Sequence, residues 1–402
     1  MSLALLDFAF HVSWAAAWFW VLLLIGLVWA RRHLALNRAD QQKTLSPQDA
    51  SAPPATLPRL SVLVAAKDEE PNIGRCLSGL LAQHYPGLEV IATNDRSSDR
   101  TGPIMDDMAA RDARLKPVHV THLPAGWTGK NHALHQAIGQ ATGDYFCFTD
   151  ADCQFHAPEL LAAAVCFALR EKIDFLSVLP DLEAYTFWER IVQPPAGAIM
   201  VFWFPPEKVN NPNSPRAYAN GAFMLMSRRS YEALGGHAAA PNALNEDMHF
   251  ARRAKSSGLR LRVILGGGMY SVRMYVGLRQ IWNGWTRIFY CCFGTLPHLL
   301  VSVVFLSVFS LLPTVSLLVA LGLAAASVAP AVFGGIAGAA ALAIVAQQSV
   351  LWRFYVLGRT PPAWALTYPI GAAMCLAITI NAMRRYAGAA THWRGTSYTG
   401  GA

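Results

Sequence analysis

Charged residues are few in this chain: Asp, Glu, Lys and Arg make up 14% of its 402 residues, and 53% are hydrophobic. An ordinary soluble domain carries about 25% charged residues, so the composition excludes a simple soluble enzyme and leaves a protein with soluble and membrane-like parts. Acidic residues are the scarcer kind, 25 against 33 basic, for a net charge of +8. That excess suits anionic lipid headgroups or phosphorylated substrates. The arginines stand beside the hydrophobic runs, which favours lipid and gives no reason to expect a nucleic acid partner. The seven cysteines (Cys76, Cys147, Cys153, Cys166, Cys291, Cys292, Cys375) lack CxxC spacing and lie mostly in apolar runs. They read as reduced, structural thiols facing a cytosol-like compartment. No GxGxxG follows the first predicted strand and no GxxxxGK[ST] occurs anywhere, which removes a dinucleotide-binding Rossmann site and a P-loop. No internal repeat stands out.

Long apolar runs are what the chain does have. Residues 10–30 carry Trp14, Trp18, Trp20 and Trp29 and lead at once into Arg31-Arg32-His33. Positive charge after the run predicts a transmembrane helix with a cytoplasmic flank within residues 1–33, not a signal peptide. Residues 34–58 turn polar around Ser46-Pro47, Ala52-Pro53-Pro54 and Pro58 and read as a linker. Three further spans fall at 299–325, 331–351 and 363–383 within residues 299–383. The protein is therefore expected in an inner or plasma membrane with its soluble region, residues 59–270, in the cytoplasm. Three spans put the 384–402 tail, with Arg384, Arg385 and Arg394, on the far side, against the positive-inside bias, so the side of the tail stays open. Residues 271–298 place Tyr275, Leu278, Ile281, Trp282, Trp285 and Phe289 among Arg273, Arg279 and Arg287, the pattern of amphipathic helices in a membrane interface. Residues 189–209, broken by Pro194-Pro195 and Pro205-Pro206, read equally as interfacial or as cover for a sheet.

Within residues 59–270, strand patterns at 60–66, 88–93, 116–120 and 145–150 alternate with helical patterns at 72–83, 101–111 and 131–141. Such alternation predicts an α/β fold with a mainly parallel sheet. Open α/β sheets bind ligands at the carboxyl ends of their strands, and acids gather there. The run 145–149 ends in Asp150-Ala151-Asp152. Two residues apart, these carboxylates project to one side of an extended chain and can share a hard cation, or they can cap the helix from about Pro158. Asp95, after the second strand, can accept from the imide N–H of a nucleobase, while Ser97, Ser98 and Asp99 read as a turn opening the next helix. Gly126-Trp127-Thr128-Gly129-Lys130 leads into a helix, where Lys130 and helix-start amides can meet a diphosphate. His132 and His135 share a helix face, but no third ligand lies near to make them a metal site. Asn245-Glu246-Asp247 opens the helical run 248–256, as a cap or as a source of a general base.

In order, Lys67-Asp68-Glu69-Glu70-Pro71-Asn72-Ile73, Asn94-Asp95-Arg96-Ser97-Ser98-Asp99, Gly129-Lys130, Asp150-Ala151-Asp152 and Glu246-Asp247 resemble family 2 glycosyltransferases of the GT-A fold, over about residues 60–293. The 123–130 run, Gly284-Trp285-Thr286-Arg287 and Trp393-Arg394-Gly395 look most like the members that glycosylate carotenoid, hopanoid or ceramide lipids. The resemblance implies a nucleotide-diphospho-sugar donor such as a UDP-hexose, a membrane lipid acceptor and Mg²⁺ or Mn²⁺. It implies uracil at Asp95 with Lys67 and Glu69 close by, and the metal on Asp152, with Asp150 supporting it or the ribose. Lys130 would stand by the diphosphate, and Asp247 would be the base of one inverting displacement. Asn94 replaces the first Asp of the family's usual pair. The QxxRW signature of processive synthases is absent: Gln280 is followed by Ile281-Trp282-Asn283-Gly284-Trp285. Non-processive transfer is the expectation. The alternatives are a polysaccharide or polyprenyl-phosphate sugar synthase and an inactive GT-A scaffold, though a scaffold need not retain Asp95, Asp152 and Asp247 together.

Overall fold

The computed structural model describes residues 3–39, 44–51, 56–387, 391–393 and 396–398. Ala52-Pro53-Pro54 of the expected linker and Arg394-Gly395 of the tail motif lie outside the described residues. The chain forms two compact units, one of Met1–Gln41, Ala184–Met200 and Tyr275–Ala390, the other of Gln42–Glu183, Val201–Met274 and Thr391–Ala402.

Helix α1 (Leu3–Ala39) opens the chain and belongs to the first unit. The second unit then alternates β1 (Leu60–Ala66), α2 (Ile73–Leu81), β2 (Leu88–Asp95), α3 (Thr101–Ala109), β3 (Leu115–Val120), α4 (Gly129–Ile138) and β4 (Tyr145–Asp150). After these come β5 (Cys153–Phe155), α5 (Leu160–Arg170), β6 (Phe175–Leu179) and β7 (Asp181–Leu182). Helix α6 (Phe187–Trp203) is followed by α7 (Pro206–Val209), β8 (Met224–Ser227), α8 (Arg228–Ala233), α9 (Glu246–Ser256), β9 (Leu261–Leu265) and β10 (Tyr270–Val272). Seven strands make one sheet in the order β3-β2-β1-β4-β8-β6-β9. Only β8 runs antiparallel to its neighbours, so the sheet is mainly parallel, as the alternation predicts. β1 lies between β2 and β4, with Leu60 beside both Leu88 and Tyr145. Its residues are nearly all buried, which is why its sequence is continuously apolar. Leu60, Val62 and Val64 pack with Leu77 and Phe167 on one face; Leu63 packs with Leu134, Phe146 and Phe250 on the other.

The strand order moves from β1 out to β3 and then returns to β4 on the other side of β1. That reversal opens a crevice at the carboxyl ends of β1 and β4. Part of the predicted linker is tied down: the Leu45 N–H donates to the Leu265 carbonyl at 2.8 Å, and Asp49 pairs with Arg170 at 2.6 Å. The segment thereby takes up the Leu265 carbonyl of the edge strand β9, while the Asn210 side chain pairs both backbone groups of Val263.

Among the described residues of the first unit, four helical stretches are long and apolar enough to cross a membrane: Ser13–Leu34, Leu296–Ala325, Pro330–Leu357 and Pro362–Tyr386. They match the four expected spans in number and order. The remaining helices are α10 (Gly277–Phe293), α11 (Leu296–Phe305), α12 (Leu312–Ala325), α13 (Pro330–Leu357) and α14 (Tyr368–Met383). A π-helical turn, Leu306–Leu311, separates α11 from α12. Pro313 deprives the Phe309 carbonyl of its helical donor, and Trp29 Nε1 at 2.9 Å and Gln347 Nε2 at 3.1 Å supply others. Pro194 and Pro195 do the same to Arg190 and Ile191 within α6. The Tyr355 hydroxyl donates to the Arg190 carbonyl at 3.4 Å. Gly371 of α14 stands so close to the Ile191 carbonyl that any Cβ would overlap it. Of the ambiguous 189–209 stretch, the first part therefore packs with membrane helices, and residues 201–209 belong to the α/β unit.

Candidate active site

Side chains from positions 130, 150, 246 and 247 of the sequence meet at the carboxyl edge of the sheet. Lys130, in the first turn of α4, places Nζ 2.6 Å from Asp150 Oδ1 and 2.6 Å from Glu246 Oε1. Beside this triad stands Asp247, whose Oδ1 accepts from the Met248 N–H at 2.6 Å and whose Oδ2 accepts from the Gly221 N–H at 3.0 Å. Gly221 is the floor of the cluster. A Cβ there would lie 3.1 Å from Lys130 Nζ, 3.4 Å from Glu246 Oε1 and 3.6 Å from Asp247 Oδ2. Only glycine leaves that room without moving the ammonium.

The start of α4 is fixed from behind. Thr128 caps it, accepting from the Asn131 N–H. The fully buried Asn131 donates through Nδ2 to the carbonyls of Ala240 at 2.6 Å and Ala243 at 3.0 Å, and the Thr128 N–H reaches the Pro241 carbonyl at 2.7 Å. The loop that leads into Glu246 and Asp247 is thereby bound to the helix that carries Lys130.

Burial works against the charge on Lys130, but the carboxylates of Asp150 and Glu246 outweigh it and hold the ammonium well above the ordinary lysine range. Burial and then the charge of Glu246 push the Asp247 carboxyl up to about 7, against Lys130 and the two backbone donors. A carboxyl poised near neutrality in a cleft is suited to proton transfer.

Two expectations are corrected here. β4 ends at Asp150, and Ala151 and Asp152 form a turn before β5, so the two-residue period of an extended chain does not relate the two carboxylates. Nor do they cap α5, which begins at Leu160 behind Glu159. Instead, burial and then the charges of Asp152, Asp150 and Glu69 push the Cys76 thiol up, so the three carboxylates share one neighbourhood. All seven cysteines are buried and free. Asp150 and Asp152 are hard oxygen donors of the kind Mg²⁺ or Mn²⁺ takes. Asp150 already gives one oxygen to Lys130, and no group of three His, Cys, Asp or Glu among the described residues is arranged to hold an ion. The donor set fits a cation completed by substrate phosphates and water, not a closed protein cage.

The β2 end is organised separately. Asp95 is 3% exposed and pairs with Arg96, a partner the sequence reading passes over. Gly129 abuts it, since a Cβ at that position would overlap Asp95 Oδ2. The loops after β1 and β2 are knitted together: Lys67 Nζ donates to the Arg96 carbonyl at 3.4 Å, the Asp68 N–H to Ser97 Oγ at 3.0 Å, and the Glu69 N–H to Thr101 Oγ1 at 2.8 Å. Glu69 Oε2 accepts from Asn72 Nδ2 at 2.8 Å, which makes this residue part of the loop's frame. His132 and His135 pack around Trp127, with ring centroids 5.6 Å and 5.1 Å away. Gln280, the remnant of the processive signature, accepts from the Val276 N–H at 2.8 Å through Oε1 at the start of α10.

A mainly parallel sheet with one inserted antiparallel strand, carboxylates at its carboxyl edge and a lysine at a helix start define a GT-A-like α/β domain. The same fold occurs in the mannosyltransferase PcManGT from Pyrobaculum calidifontis, solved in complex with GDP-Man and Mn²⁺. The two are 20% identical with a TM-score of 0.53, over 91% of this chain and 96% of that one. Residues 61–235 match the model of Glycosyl transferase family 2. The chain is also 27% identical over 249 residues to the 4,4'-diaponeurosporenoate glycosyltransferase of Staphylococcus aureus strain MRSA252, and 26% identical to that of strain USA300. In both cases the match spans 61% of this chain and 64% of the relative's length.

Proposed function

We propose that the protein is an inverting, non-processive glycosyltransferase that moves one sugar from a nucleotide-diphospho-sugar, a UDP-hexose in the first instance, to a lipid dissolved in the membrane. The observation that carries this reading is the cluster of Lys130, Asp150, Glu246 and Asp247 around Gly221, at the carboxyl edge of a GT-A-like sheet. In it, a single candidate base adjoins a single cation. A lipid acceptor is supported by the four apolar helices and by relatives named for a carotenoid carboxylate.

In this mechanism Asp95, Lys67 and Glu69 line the nucleoside end, and Lys130 answers the charge that develops on the departing diphosphate. Asp152, with Asp150, would hold a Mg²⁺ or Mn²⁺ ion that neutralises the diphosphate when bound. The acceptor oxygen attacks the anomeric carbon as its bond to the diphosphate oxygen breaks, and the acceptor proton passes to Asp247. One displacement inverts the configuration and needs one base.

The defining assay supplies detergent-solubilised protein with a panel of UDP- and GDP-sugars and total membrane lipid, with and without EDTA. Metal-dependent formation of a lipid bearing one sugar, of inverted configuration, is the expected result. A polymeric product or a phosphorylated-lipid product would move the protein to the synthase readings, and absence of nucleotide binding would favour the scaffold. The pH profile is a second check. Asp247 must be ionised to accept a proton, so kcat/KM is expected to rise with pH through about 7 and then level; a flat profile from pH 5 to 9 would remove Asp247 from the base's role.

A further inference from the structure

At the end of β2, Asp95 and Arg96 form one unit. Arg96 Nε donates to Asp95 Oδ1 at 2.7 Å and Nη2 donates to Oδ2 at 3.0 Å, so both carboxylate oxygens are engaged. Gly129 closes on Oδ2 from another side. The Asp95 side chain is 5% exposed and that of Arg96 is 23% exposed. Of the two side chains, that of Arg96 is the more open to solvent. Its placement is enforced: Arg96 has φ +56°, a left-handed conformation that an arginine does not adopt unaided and that persists only where the surroundings fix it. They do so here. The Arg96 carbonyl accepts from Lys67 Nζ, and the Ser97 N–H is held by Asn94 Oδ1 at 3.1 Å.

We infer that Arg96 is the residue that meets the donor's nucleobase, with Asp95 as the positioning residue that holds the guanidinium. This inference rests on the nucleotide-sugar reading. For an imide N–H to reach Asp95 directly, a bidentate pair around a nearly buried carboxylate must open, and a single neutral donor does not compensate for stranding that charge. A guanidinium kept in place offers only donors. It therefore favours a base whose exposed edge carries oxo acceptors, as in uracil or guanine, and its plane can stack on the ring.

The test is titration calorimetry on full-length protein with UDP, GDP, CDP, ADP and inorganic pyrophosphate. The variants are Arg96→Lys, Arg96→Gly and Asp95→Asn. Glycine suits φ +56°, so Arg96→Gly keeps the loop, and a circular dichroism melt confirms folding. Wild type is expected to prefer UDP or GDP over CDP and ADP. Arg96→Lys, which keeps the charge but loses the fork, should weaken the preferred nucleotide at least tenfold and narrow the preference, with pyrophosphate changed less than twofold. Asp95→Asn should narrow the preference in the same way, and the double variant should be no worse than either single one. UDP binding by Arg96→Gly as tight as wild type, or tighter, would overturn the inference and make Arg96 a cover over Asp95. Equal losses for UDP and pyrophosphate would overturn it in favour of a charge effect alone. A wild-type protein that binds no nucleoside diphosphate would instead sink the donor reading on which it stands.

Discussion

Asp247→Asn is expected to fold, to bind nucleoside diphosphate as the wild type does, and to lose sugar transfer by about 10²- to 10⁴-fold, the usual contribution of a positioned general base. Asparagine keeps the shape but has one acceptor oxygen, so it keeps the N–H of either Gly221 or Met248 and turns its amide nitrogen toward the other. An unchanged thermal midpoint and unchanged nucleotide binding are the controls that let the loss be read as proton transfer. Single-turnover transfer with a fixed donor measures it. The size of the loss also tells what the acceptor is. A hydroxyl must shed its proton as it attacks, whereas a carboxylate is already ionised near neutral pH and needs no base. The relatives are named for a carboxylate acceptor. A loss of less than about tenfold would therefore point to an acid acceptor, while wild-type turnover with an alcohol acceptor would remove Asp247 from the mechanism.

Lys130→Met is expected to have the other large effect, and it strikes stability and activity together. Glu246 is 5% exposed and loses its counter-charge at 2.6 Å. Breaking such a pair from one side costs about 3–5 kcal/mol, visible as a lower midpoint in urea or heat. Asp150, 35% exposed, can turn to water and adds less. Transfer should fall by about 10²- to 10³-fold, as when one preorganised donor to a developing anion is removed. The double variant Lys130→Met/Glu246→Gln separates the two effects: stability should recover while activity does not. If activity recovers with stability, Lys130 serves the fold alone.

Much of this arrangement was legible in residues, and the failures have physical reasons. The apolar run 60–66 coincides with β1, Leu60–Ala66, because a central strand buried on both faces is apolar throughout. The four apolar stretches were equally plain. The two-residue period fails to relate Asp150 to Asp152 because the strand stops at Asp150, two residues short of the second carboxylate. Glu246 reads in the sequence only as a neighbour of Asp247, since nothing along the chain says that a lysine 116 residues away will reach it. Gly221 left a faint signal, a lone glycine shortly before β8, but its role depends on three side chains from elsewhere. Arg96 gives no signal along the chain because an arginine in a polar turn is ordinarily solvated; its left-handed backbone and its grip on Asp95 exist only in three dimensions. The π-helical turn at Leu306–Leu311 likewise hides in a run that reads as one helix.

The adjacency of Gly129 and Lys130 has a consequence for how a donor is measured. One residue abuts Asp95 and the next contacts Asp150, so a single helical turn, anchored by the buried Asn131, acts as a ruler with a mark at each end. A ligand of the right span engages both marks and loses its freedom once, whereas a fragment with only a base or only phosphates loses nearly as much for half the contacts. Selection for a whole nucleotide-diphospho-sugar over its pieces would then reside less in any one contact than in the rigidity of the turn between them.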